Sequence, residues 1–202
     1  MPPITQKDLD QYKVLMPHDE KLQSLTLLEL LHNVDNSNVD FSKITYEGSD
    51  LLEGSVWSCV EGVGFVVFDC VCLVLGAVSL RSSVTSEVAE DIAKAVEPVI
   101  PKLEQYIKTI KAAESSKTDI AWAVFGVIST IYSGSCLGAV LSSFLGSLTW
   151  YNSILYGATA MGTILAACFT DGAAEVGIIV VELATAGFLV QDSINCGEAC
   201  GY

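Results

Sequence analysis

Four carboxylates interrupt runs that are otherwise apolar: Glu61, Asp69, Glu175 and Glu182. Glu61 and Asp69 are eight residues apart, and Glu175 and Glu182 are seven apart. At helical spacing each pair therefore shares roughly one face. If those faces meet in a low-dielectric interior, the carboxyls hold their protons to higher pH and become proton-sensitive or cation-binding groups. The competing reading makes each pair the water-facing stripe of its helix, because acids are seldom buried without partners.

Other chemistry is sparse. His18 and His32 lie fourteen residues apart, and no Cys stands at metal-ligand spacing from either. Cys70-Val71-Cys72 is too tight for a CxxC pair, and Gly62-Val63-Gly64 makes no phosphate loop. No GxSxG nucleophile elbow is present. The expectation is no catalytic, cofactor-binding or metal residue and no cofactor; whether the chain is an enzyme stays open, with the balance leaning against it.

Of the seven cysteines, Cys59, Cys70, Cys72, Cys136 and Cys168 sit in apolar runs, where a thiol behaves as a small hydrophobe. Cys196 and Cys200 flank Gly-Glu-Ala and are spaced for a local disulfide. An odd total does not describe a secreted disulfide framework, so free thiols in a reducing compartment are the expectation. The opening MPPITQKDLDQYK lacks the basic-then-apolar character of a signal peptide. Compartment, membrane-associated or cytoplasmic, stays open.

The elements that must carry these residues are dominated by one run. Ile120 to Thr170, 51 residues, contains no Asp, Glu, Lys, Arg or His. An exposed helix keeps charge on its outer face, so lipid, the rest of the chain or a second copy must cover this stretch. Breaks at Gly134-Ser135 and at 149–152 divide it into helices near 119–133, 136–148 and 153–169. Stripes of small or hydroxyl residues run along them: Ala123, Gly126, Thr130 and Ser133, then Ser135, Gly138, Ser142, Gly146 and Thr149, then Asn152, Thr159, Thr163, Ala167 and Thr170. Such stripes let backbones approach closely. Asp171-Gly172 predicts the start of a fourth helix, to about Val190.

Upstream, Thr5 with Asp8 predicts a capped helix over 5–14, and Leu25, Leu28 and Leu31 predict another over 24–33 with Ser24 as its cap. Residues 34–48 read as a loop. Asp50 with Glu53 predicts a cap for a helix reaching Leu80. Val88, Ile92, Val96, Leu103, Ile107 and Ile110 trace an amphipathic helix, split by Pro98 and Pro101. Trp57, Trp122 and Trp150 mark ends of apolar runs, as membrane anchors or as core.

The totals agree with this pattern. An apolar fraction of 51%, mean hydropathy of +0.49 and a charged fraction of 17% point toward membrane association or an unusually apolar core. Net charge of −14 with a single arginine, Arg81, excludes nucleic acid as a partner. The predicted fold is an all-α helical bundle with a central hydrophobic hairpin and outer amphipathic helices. Residues 1–54 form an acidic helical and loop portion, and 55–202 the hydrophobic bundle. This layout is similar in plan to helical pore-forming toxins; the likeness is one of arrangement, with no motif or site residue attached. The function expected is membrane-active, with 119–170 as an inserting hairpin and lipid as partner. The alternatives are a soluble module that packs an apolar ligand or forms a homo-oligomer, and a constitutive integral membrane protein.

Overall fold

The computed structural model describes residues 4–34, 58–74, 84–112, 115–146, 149–169 and 187–201. Every regular element among them is helical, as the spacing of apolar residues predicts. Helices α1 (Gln6–Leu15), α2 (Glu20–Ser24) and α3 (Leu27–Asn33) open the chain. Then come α4 (Cys59–Val74), α5 (Ser86–Val96) and α6 (Ile100–Lys111), the last two joined by a 3-10 turn at Glu97–Val99. The uncharged run forms α7 (Lys117–Ser133), α8 (Leu137–Leu145) and α9 (Trp150–Phe169). Helix α10 (Gly187–Cys200) closes the described chain.

Local chemistry sets most starts. Thr5 accepts from the Asp8 amide while the Asp8 carboxylate accepts from Thr5, and Ser116 and Asp119 do the same for α7. The 24–33 expectation needs correction. Thr26, not Ser24, caps α3, reciprocated by Glu29, and Leu25 is extended between two short helices. The break shifts the helical phase: Leu22, Leu25 and Leu30 are buried, while Leu28 is 80% and Leu31 47% exposed. Pro98 and Pro101 stand in the first turns of the elements they open, where a missing N–H costs nothing. The loop at 34–48, the Asp50/Glu53 cap, Trp57 and the 171–186 part of the fourth helix lie outside the described residues. Helix α10 runs ten residues beyond the expected end at Val190.

Helix α4 packs between α5 and α10, and α7 lies against α6 and α4. Around α9 sit α1, α3 and α8, and α8 also touches α5, so the acidic N-terminal helices lie directly on the hydrophobic bundle. At Gly64 an added Cβ would fall 1.8 Å from the Ala89 carbonyl oxygen, so only glycine lets α4 and α5 meet there. A disulfide between Cys59 and Cys200, Cα atoms 4.6 Å apart, ties the start of α4 to the end of α10. The local Cys196–Cys200 bridge is therefore not the one formed. One turn of helix holds Cβ atoms about 5–6 Å apart, wider than a disulfide takes, whereas Cys59 faces Cys200 across the helix pair.

Candidate functional site

Two features drew the functional expectation: the carboxylates on apolar helices and the uncharged run. On α4 the carboxylates part company. Glu61 stands at the helix start, where its carboxylate accepts from the Ser58 amide at 2.8 Å and the Ser58 hydroxyl accepts from the Glu61 amide at 3.2 Å. The backbone hydrogen bond from Ser58 holds its carboxyl below the ordinary value. Partial burial opposes this, and the hydroxyls of Ser58 and Ser86 add to the lowering. That is the reverse of the raised value a buried pair would give. Glu61 caps a helix.

Asp69, eight residues on, is fully buried. At 1.5 Å per residue it lies about 12 Å further along the axis, too far to share a proton or a cation with Glu61. Its neighbour Cys70 is equally buried, and desolvation, with the Asp69 charge second, pushes the Cys70 thiol well above its ordinary value. That thiol is inert packing. Glu175 and Glu182 lie outside the described residues. A second buried acid, Asp192 on α10, lies past Val190, where the fourth helix is expected to end. Among the described residues no group of three His, Cys, Asp or Glu could hold a metal ion.

The uncharged run has a definite shape. Helix α7 buries Ile120, Ala121, Val124, Val127, Ile128 and Ile131. From its small-residue stripe Ala123, Gly126 and Thr130 are buried and Ser133 is not. The Tyr106 ring lies on Gly126, where an added Cβ would come 2.2 Å from Cε1. The face is thus used inside this chain, by α6. In α9 the hydroxyls of Thr159 and Thr163 donate to the carbonyls of Leu155 and Thr159, at 2.8 and 3.1 Å, which satisfies them within the helix.

Between α7 and α8 the chain turns by 106°. The Cys136 amide donates to Ile131 O and the Ser135 amide to Tyr132 O, both at 3.0 Å, the pairing of a Schellman motif. Ser135 takes the left-handed conformation at φ 60. Glycine would suit that position, yet the glycine sits one residue earlier. A side chain at Gly134 would meet Val99 Cγ1 at 2.4 Å, so packing claims the glycine and leaves the turn to serine. At the second break, α9 begins at Trp150, earlier than the predicted 153. The Ser153 hydroxyl donates to Leu145 O at 2.9 Å, and Lys21 Nζ stands 3.8 Å over the Trp150 ring. Trp150 is half-buried and Trp122 is 44% exposed.

Among the described residues no single helix is long and apolar enough to cross a membrane, while α7 and Leu137–Ser143, a pair bent by 106°, together have the length and composition for it. The chain matches no known family model, no curated protein and no solved structure.

Proposed function

We propose that this is a membrane-active helical protein that keeps its hydrophobic element, residues 119–170, covered until it meets a bilayer. The observation that carries the reading is the placement of α7. It has no charge after Asp119, and it lies against α6, whose outer side bears Lys102, Glu104 and Lys108. Such a helix gains little by facing water and a great deal by entering hydrocarbon, at about 25 cal/mol per Å² of apolar surface. The 119–170 segment would enter as a hairpin hinged near Ser135. Protonation of Glu175 and Glu182 would lower the cost of carrying the following segment along.

The test is dye release from liposomes of neutral and anionic lipid. Leakage should rise as pH falls from about 8 to about 4. Background leakage throughout that range, with circular dichroism showing intact helix, would end the proposal. A second reading, a soluble helical module that packs an apolar ligand or self-associates, draws support from Tyr106 seated on Gly126, which spends the small-residue face on packing within the chain. Purification without detergent as a discrete oligomer that does not bind liposomes would select it.

A further inference from the structure

A third sulfur stands beside the disulfide that joins α4 to α10. Cys196 is buried one helical turn before Cys200, and its Sγ lies 3.9 Å from Cys200 Sγ. It is also pressed against α4. A Cβ added to Gly62 would meet Cys196 Cα at 2.8 Å and its Sγ at 3.2 Å. Gly62 is one turn on from Cys59, so the Cys196 sulfur is wedged between the two helices the cross-link joins. The three sulfurs come from positions 59, 196 and 200, and only the fold brings the first to the other two.

We propose that Cys196 is an exchange thiol, and that the Cys59–Cys200 cross-link isomerises through it to Cys196–Cys200. The step needs no external oxidant or reductant. Cys196 is buried in the closed fold, so the step begins when the last turn of α10 opens and lets water take its proton; the thiolate then attacks Cys200 Sγ. A Cys196–Cys200 bond forms as the Cys59–Cys200 bond breaks. The electron pair leaves on Cys59 Sγ, which takes up a proton from water. One disulfide and one thiol are present before and after.

Position makes the exchange workable. Cys200 is the last residue of α10 and Gly201 follows at φ 76, so unwinding a single terminal turn is enough to let Cys196 and Cys200 leave helical spacing and reach bonding distance. Cys59 is exposed at the start of α4, so the released thiol faces water and can be trapped there. The product no longer ties α4 to α10. The cluster is thereby a release for that helix pair, independent of whether the chain acts on membranes.

The experiment uses the full-length oxidised protein, without reductant, at about pH 8, where a thiol reached by water forms thiolate. N-ethylmaleimide traps thiols over time, acid quenches the exchange, and disulfide-linked peptides are mapped by mass spectrometry. Cleavage after Glu198 places Cys196 and Cys200 on separate peptides. The expected result is progressive labelling of Cys59 together with a Cys196–Cys200 linked peptide. In Cys196→Ser, Cys59 labelling should slow by at least about ten-fold. Equal Cys59 labelling in the two proteins, or retention of only Cys59–Cys200 in the wild type, would overturn the proposal. Cys70 and Cys72, sealed inside α4, report folding by staying unlabelled. Cys196→Ala carries the same expectation should the serine variant fail that check.

Discussion

Helices α4 and α7 are two of the apolar helices of the interior, and they are fastened in different ways. Helix α4 is held by contacts that cannot relax. Its backbone meets the Ala89 carbonyl at Gly64, and its first residue is bonded to Cys200. Helix α7 is held by contacts that can yield: an aromatic ring on Gly126 and aliphatic side chains around it. Both are apolar, and it is the kind of contact that separates them. Where a helix touches backbone or sulfur it is committed to one neighbour, and where it touches side-chain tips it can be repacked.

Removing the cross-link should have the largest effect. The paired change Cys59→Ser with Cys200→Ser opens a loop of sequence separation 141 and should cost about 5 kcal/mol by urea denaturation. A loss under about 1 kcal/mol would mean that packing alone holds α4 to α10. Next, Gly64→Ala should cost about 3 kcal/mol, because a carbonyl oxygen cannot step aside, and Gly126→Ala about 1 kcal/mol, because the Tyr106 ring can. Equal costs at the two glycines would erase the contrast between the helices.

Alkali should open the α1–α9 side and leave α4 alone. Burial, with Asp19 second, pushes the Tyr12 hydroxyl from 10.0 up to about 12 in the fold. The folded value lies above the unfolded one, so its contribution is complete below about pH 10 and is lost as pH rises through about 12. That loss is about 3 kcal/mol, and Tyr12→Phe should abolish the slope. An unchanged slope in the phenylalanine variant would place the alkaline transition elsewhere. The smallest effect expected is a gain: Ser135→Gly should raise stability by about 1 kcal/mol, by relieving a left-handed serine between α7 and α8. A loss on that change would show that the serine side chain holds the turn.

What could be read in the sequence was local chemistry. Thr5 with Asp8, the proline split of α5 and α6, and the break at Gly134-Ser135 all rest on residues a few positions apart. Thr26 with Glu29 and Ser58 with Glu61 carry the same capping pattern, but in the sequence Ser24 competes with the first and the eight-residue spacing to Asp69 competes with the second. A capping carboxylate and a buried functional carboxylate look alike until the helix start is known. The Cys59–Cys200 bond had no sequence signal, since nothing local relates positions 59 and 200. Tyr106 on Gly126 was equally hidden. The stripe showed that something would approach closely, and only the fold says that α6 does.

The corner at Ser135 gives the uncharged run two reaches. Helix α7 has 17 residues, a rod of about 25 Å, shorter than the roughly 30 Å thickness of a hydrocarbon layer. Drawn out straight through Leu145, the same chain would extend about 43 Å. One backbone angle, at a serine whose neighbour Gly134 is already taken up by Val99, divides a segment that falls short of the far side from one that overshoots it.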